Sequence, residues 1–289
     1  MGADLPEDRV RVELGGVPET LLWTLYHRAV EARRPDAVLH DPEAVALVDR
    51  IDQPFEERFG RGGLGQWQAL RARCFDGEVR RFLASHPGGT VVALGEGLET
   101  QFWRVDDGRV SWLTVDVPEV VALRDRLLPA SGRRRAVAGS ALDARWMDEV
   151  DTSRGVLVTA QGLLMYFEQA EVHQLIASCA RRFPGEAMVF DAVPRGMSAR
   201  SQGGGLATAG SYQAPPWRWG LDAAEEARLA GTPGVAALRA LPLPRGRGLL
   251  HGWVLPLASR VPALRRSMLS VLVARFAAPG SPTAAPEAR

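Results

Sequence analysis

The stretch Thr90–Asp116, TVVALGEGLETQFWRVDDGRVSWLTVD, restricts what this chain can fold into more than any other part of it. Thr90 to Leu94 is a short β-branched and aliphatic run followed at once by Gly95-Glu96-Gly97, which reads as a buried strand entering a tight turn. Glycines there permit positive φ and let a ligand approach the backbone. Leu98 to Val105 then starts a helix whose free N–H groups face that ligand. A second strand, Val110 to Val115, ends on Asp116, nineteen residues past Gly97. That is the spacing at which a strand-end carboxylate reaches the hydroxyls of a ribose held over the first turn. The pattern is a nucleoside-binding half-fold, and its plain alternative is a glycine pair that only closes a strand-to-helix turn.

The position three after Gly97 is Thr100, where a dinucleotide fingerprint has its third glycine. A ligand without a pyrophosphate therefore fits better, and S-adenosylmethionine, with adenine, ribose, an amino acid end and a sulfonium, is the expected cofactor. Gly95, Glu96, Gly97, Asp116 and the adjoining Val117 are its expected contacts here.

The rest of the chain repeats the alternation. A third strand is expected at Arg135–Gly139, a fourth at Gly155–Ala160 running into Gln161, and a fifth at Ala187–Ala192, with helices at Glu119–Leu128 and Gln169–Phe183. Five strands alternating with helices predict an α/β fold, a doubly wound, Rossmann-like sheet that is mostly parallel. Val271–Phe276 reads as a closing strand, and Ala223–Ala230 as a helix before it. Upstream, Thr20–Arg34 and Asp41–Asp52 read as helices, the second with Asp41-Pro42 as N-cap and first residue, and Gln66–Ala84 as a third. Residues 194–220, rich in Gly, Pro and Ser with Tyr212, Trp217 and Trp219, are expected to form a substrate-facing loop. Residues 1–19 are expected to be a flexible lead-in and 277–289 a disordered tail, leaving one domain over 20–276.

The segments RPD (34–36), HDPEAV (40–45), RARCFD (71–76), VVALGEGLET (91–100), VDVPEVVALRDRLLP (115–129), SALDARWMDEV (140–150) and QGLLMYF (161–167) together resemble the leucine carboxyl methyltransferase family. The likeness is closest to its bacterial branch, which includes polyketide carboxyl O-methyltransferases of the tetracenomycin type. It runs in the family's order over about residues 20–195. The resemblance implies a helical lid over 20–86, a cofactor core over 87–193, an antiparallel last strand and methyl transfer from S-adenosylmethionine. It gives Arg71 the role of binding the cofactor's carboxylate, for which a planar guanidinium is suited, with Arg73 as the rival register. It gives Asp143 to the adenine amine, with Leu142 or Ala144 against the ring. A helix cap is the compatible structural role for Asp143. Where the family has glutamate before glycine this chain has Gln161, and Glu96 and Glu99 stand where the family has a small residue and aspartate. Glu96 is therefore expected to replace part of the charge missing at Gln161. Tyr26 and Arg28 on the lid, with Tyr166 and Arg195, are the candidates to face an acceptor.

Composition bounds the partners. The 289 residues carry a formal net charge of +1, so nothing global favours nucleic acid or a membrane surface, and a small-molecule acceptor is expected. Residues 1–19 lack an apolar run, no apolar segment reaches bilayer length, and Cys74 and Cys179 form no disulfide framework, which together suggest the cytoplasm. The five histidines have no metal-ligand spacing, and no GxSxG elbow exists. The acceptor is expected to be a carboxylate or phenol of a small metabolite such as a polyketide. The other readings are a cofactor-binding pseudoenzyme, methylation of a protein C-terminus, and a nicotinamide-dependent oxidoreductase. The last is disfavoured by Thr100 and by a chain without any lysine for a tyrosine-lysine pair.

Overall fold

The structure is a computed structural model that describes residues 9–204, 206–207 and 210–280. Its centre is a seven-stranded sheet: β1 (Thr90–Leu94), β2 (Ser111–Asp116), β3 (Arg134–Ala138), β4 (Val156–Ala160), β5 (Ala187–Ala192), β6 (Val235–Leu241) and β7 (Ser270–Phe276). The spatial order is β6-β7-β5-β4-β1-β2-β3. The first five strands are mutually parallel, while β7 lies antiparallel between β5 and β6. The expected antiparallel closing strand is thus present. Its neighbour β6, VAALRAL, has no clear apolar alternation, and pairing with β7 is what defines it.

All five residues of β1 are buried because both faces of the sheet are covered, which explains a run without alternation. Val91 and Ala93 pack with Phe75 and Val79 of the helix Gly65–Ser85. Val92 and Leu94 face the other way, toward Val172 and Ile176 of the helix Gln169–Arg182. Each of the valine, leucine, isoleucine and phenylalanine side chains taken from water here contributes about 1.5–3 kcal/mol. A third cluster joins the helices Thr20–Ala32 and Pro42–Arg50 to Val120, Leu123 and Leu127 of Pro118–Leu127, and seats the N-terminal layer over one end of the sheet.

Two expectations change. Residues 9–19 are not a free lead-in: Val10–Arg11 pairs in parallel with Ile51–Asp52, and Val12 is buried. Residues 1–8 and 281–289 lie outside the described residues. The segment 194–220 holds a helix, Arg195–Gln202, and a short strand pair, Leu206–Ala207 with Gln213–Ala214. That helix packs through serines, Ser198 and Ser201, whose hydroxyls donate to the Trp217 carbonyl, so no apolar period announces it. Beyond β6 the chain makes a helical excursion at Leu250–Ala258 and Pro262–Arg265 before β7.

Candidate active site

Strand order reverses between β1 and β4, and the crevice at the carboxyl ends of the strands opens there. Gly95 and Gly97 follow β1, Asp116 ends β2, Gly139 follows β3 and Gln161 follows β4, so one topological fact brings distant parts of the chain together. They line a cavity of about 280 Å³ with Val117 and Tyr166. Gly95 and Gly97 have φ of 57° and 54°. A Cβ on Gly97 would also lie 3.0 Å from Leu21 Cβ, so the turn and the N-terminal helix close on one another.

Asp116 organises the turn. Its Oδ2 accepts from Gly97 N at 2.8 Å and its Oδ1 from Val117 N at 2.9 Å, leaving one lone pair on each oxygen for a diol. Burial raises its pKa, and the two backbone donors oppose that shift. Replacing Asp116 with Ala is expected to weaken adenosine-ligand binding about 10- to 100-fold, the loss of one or two charge-assisted hydrogen bonds, as titration calorimetry reads it. Affinity within twofold of the parent would remove this role.

Gln161 leads to a buried polar network. Its Nε2 donates to Glu99 Oε2 at 2.9 Å. The Glu99 carboxylate also meets Arg28 Nη1 at 3.1 Å and Arg104 Nη1 at 2.7 Å. Arg104 in turn reaches Asp76 and Asp41, and Asp41 caps the helix Pro42–Arg50 through Ala44 N. Desolvation opposes ionisation of Glu99, but Arg28 and Arg104 overcome it and hold its pKa down at about 2. Three carboxylates and two guanidiniums leave this buried group one negative charge in excess, beside Gln161.

The charge next to Gln161 is therefore that of Glu99. Glu96 also lines the first cavity, but its carboxylate is engaged beneath the turn: it forms an ion pair with Arg124 Nη2 at 2.8 Å and accepts from Trp112 Nε1 at 3.2 Å and from the Thr114 hydroxyl, which ties β2 and the helix Pro118–Leu127 there. The expected compensation by Glu96 gives way to one by Glu99, because Arg124 claims the Glu96 carboxylate.

Arg71 stands between two cavities. Its Nη1 donates to Asp191 Oδ2 at 2.8 Å, and Asp191 Oδ1 accepts from Gly162 N at 2.7 Å. A second cavity of about 500 Å³ adjoins the first and shares Thr20, Thr24, Arg71, Gly162 and Tyr166 with it. It is walled by aromatic and apolar groups, among them Trp23, Trp67, Trp217 and Met197. Among the described residues Arg71 is its one formally charged lining group, counting His27 as neutral, since burial lowers the His27 pKa to about 4. Trp217 is the part of the 194–220 segment that faces this cavity with Met197, whereas Trp219 is buried on Glu225.

Several expected residues lie elsewhere. Arg28 lines the first cavity, fixed by the Glu99 network and the Leu98 carbonyl at 2.9 Å. Tyr26 stacks on Phe55 at 5.4 Å inside the N-terminal core and lines neither cavity. Arg195 is drawn outward to Asp222 and Glu225. Asp143 is held by Arg145 and caps the short helix Ala144–Glu149 through Arg145 N at 3.1 Å. Asp143 lines an adjoining recess that shares Val115, Gly139 and Ser140 with the first cavity, and Leu142 is exposed. Arg73, the rival to Arg71, is exposed and donates to the Arg245 carbonyl. Sequence reasoning missed Trp23, His27 and Gln68, which reach the second cavity from helices read only as a lid.

The first cavity suits S-adenosylmethionine. The glycine turn and the free lone pairs of Asp116 match a ribose diol at one end. At the other end are a buried, unpartnered acceptor, Gln161 Oε1, and a buried, unpartnered donor, Arg71 Nε. One acceptor and one donor complement the ammonium and carboxylate of an amino acid zwitterion.

The profile of the leucine carboxyl methyltransferase family matches residues 22–180. The chain is 38% identical over 183 residues to the tetracenomycin polyketide synthesis O-methyltransferase TcmP of Streptomyces glaucescens, covering 63% of this chain and 68% of that one. It is 32% identical over 193 residues to the S-adenosyl-L-methionine-dependent methyltransferase dpfgK of Gibberella zeae, covering 61% and 64%. The matched region spans about two thirds of these relatives' own length. With the glycine turn, Asp116 and Arg71 inside the matched region, the chain belongs to the leucine carboxyl methyltransferase family of S-adenosylmethionine-dependent methyltransferases.

Proposed function

We propose that the chain methylates the carboxylate of a small, hydroxylated aromatic metabolite of polyketide type, using S-adenosylmethionine held as described. The observation that carries this reading is the second cavity: large, aromatic-walled, and charged only at Arg71, on the partition shared with the cofactor cavity. When bound, the cofactor supplies a methyl group already activated by its sulfonium. The protein must then place an oxygen in line with that methyl and keep water out. A carboxylate is ionised at neutral pH and needs no base. A phenol would need one, and among the described residues the second cavity's imidazole is held at about 4 while burial raises the Tyr166 phenol, so neither suits that task. The similarity to a polyketide O-methyltransferase supports the same substrate class.

His27 and Gln68 refine the acceptor. Both are buried, and among the described residues His27 Nδ1, Gln68 Oε1 and the indole N–H of Trp23 lack partners. Unpaired polar atoms in an apolar wall favour a ligand that brings hydroxyls to them, because leaving such a group dry costs about 1–3 kcal/mol. Replacing Gln68 with Leu is expected to lower kcat/KM for a hydroxylated aromatic acid about 10-fold and to leave its deoxy analogue nearly unaffected.

The test of the function is transfer of labelled methyl to a panel of hydroxynaphthoic and anthracene carboxylic acids. Label released by mild alkali marks a methyl ester, and the expected product is of that kind. Alkali-stable label would mark a phenol ether and overturn the carboxylate assignment. Binding of S-adenosylmethionine without transfer to any member would favour a binding protein.

A further inference from the structure

The helical excursion before β7 has its polarity reversed. Leu250, Trp253, Val254 and Leu257, spread over the π-helical turn Leu250–Val254 and the α-helical turn Leu255–Ala258 that follows it, all face outward. Trp253 is 54% exposed and Leu257 58%, and Leu249, Val261 and Leu264 extend the patch at 75%, 47% and 51%. The inward residues are Gly252, Pro256 and Ser259. A contiguous apolar surface of this kind marks a docking site, since exposed leucines scattered singly would not gather on one segment.

The charge that the segment itself carries is of one sign. Between residues 242 and 280 the chain has Arg245, Arg247, Arg260, Arg265, Arg266 and Arg275 and no acidic residue. Arg247 is paired with Glu31, and Arg265 and Arg266 with Glu226. Among the described residues Arg245 and Arg260 have no carboxylate partner. Both are exposed at the rim of the patch, with the Arg245 guanidinium 4.1 Å from the centre of the Trp253 ring.

We propose that the outward face of Leu249–Leu264 docks this protein on an anionic lipid surface. Leucine and tryptophan facing outward, bordered by arginines, are the composition of a helix that lies in a bilayer interface, where apolar burial and attraction to anionic headgroups add. A second copy is the poorer occupant, because a two-fold contact pairs this patch with itself and brings the bordering arginines of both copies into one seam. No described helix is long and apolar enough to cross a membrane, so the contact is peripheral. The segment that carries the patch meets the second cavity at its two ends. Arg247 N donates to Gln66 Oε1 at 2.5 Å, one residue from Trp67 of the cavity wall, and Leu269, just past the patch, lines the cavity itself. Resting on the proposed function, docking here delivers an apolar aromatic acid from the bilayer to that cavity.

The experiment is flotation of the full chain with vesicles of phosphatidylcholine alone and of phosphatidylcholine with phosphatidylglycerol in equal parts, at 50 and 500 mM salt. The expected result is binding to the anionic vesicles, weakened at least tenfold by high salt and by the double change Trp253→Glu, Leu257→Glu, and weakened severalfold by Arg245→Glu with Arg260→Glu. These side chains are exposed, so affinity for S-adenosylmethionine should stay within twofold in every variant, which separates docking from the cofactor site. Equal binding to both vesicle types, or none to either, overturns the proposal. A dimer in sedimentation velocity that Leu257→Glu dissociates, without vesicle binding, overturns it in favour of a second copy. Vesicle binding with no methyl transfer to any aromatic acid would leave the lipid surface standing and remove the acceptor reading.

Discussion

Changing Arg71 to Met is expected to lower affinity for S-adenosylmethionine about 100-fold or more and to destabilise the fold. The side chain is in a wall shared by the two cavities, so one substitution touches cofactor, acceptor and a buried ion pair. Asp191 is 1% exposed and would lose its one cationic partner among the described residues, a change that costs about 3–5 kcal/mol when a buried pair is broken from one side. The same carboxylate holds Gly162 N, so the turn after β4 loosens with it. A double variant separates the two effects. Adding Asp191→Asn to Arg71→Met removes the stranded charge and should recover much of the melting temperature, while cofactor affinity stays low. Arg71→Lys keeps a charge but has no Nε–H and no planar fork, and should recover only part of the binding. Calorimetric titration with S-adenosylmethionine and S-adenosylhomocysteine, beside thermal melts, reads all three. Full affinity in Arg71→Met would mean that Arg71 serves only the fold.

The second large effect belongs to the Glu99 network. Arg104 pairs with Asp41, Asp76 and Glu99 together, and replacing it with Met leaves, among the described residues, Asp76 without a cationic partner and Asp41 and Glu99 sharing Arg28. A loss of about 3–5 kcal/mol of stability is expected, enough to unfold a domain of ordinary stability at mildly raised temperature. The same network predicts acid sensitivity. Glu99 titrates at about 2 in the fold against 4.5 ordinarily, so the folded chain binds fewer protons than the unfolded chain between those values. Its contribution, about 3 kcal/mol, is fully present above pH 4.5 and is lost as pH falls toward 2. Glu99→Gln should be less stable at neutral pH and should show a flatter decline in chemical denaturation between pH 5 and 3. An unchanged slope would place the acid-sensitive charge elsewhere. Because Gln161 donates to Glu99, the same variant should also bind S-adenosylmethionine more weakly, and this sets Glu99 apart from Glu96, which faces Arg124.

The two kinds of information divided along physical lines. Local composition determined the parallel strands, because a buried run bounded by glycine has few other conformations: Thr90–Leu94 and Ala187–Ala192 stand where their side chains predict. It determined the cap at Asp41 and the glycine turn with Asp116, since backbone conformation and one carboxylate act over short distances. The motifs in their family order determined the family. What the sequence did not display was direction. Tyr26 and His27 are neighbours on one helix, yet the first stacks on Phe55 in the core and the second borders the acceptor cavity. Glu96 and Glu99 are three residues apart, and which one stands beside Gln161 depended on where Arg124 and Arg28 arrive from the helices Pro118–Leu127 and Thr20–Ala32. The helix Arg195–Gln202 and strand β6 were hidden for a related reason: serine hydroxyls on a carbonyl hold the first, and a partner strand the second. Strand and turn propensities are properties of a few adjacent residues and are written in the chain. The partner of a buried charge is chosen only when distant elements pack, and in this protein that choice decides which groups are left to face the two cavities.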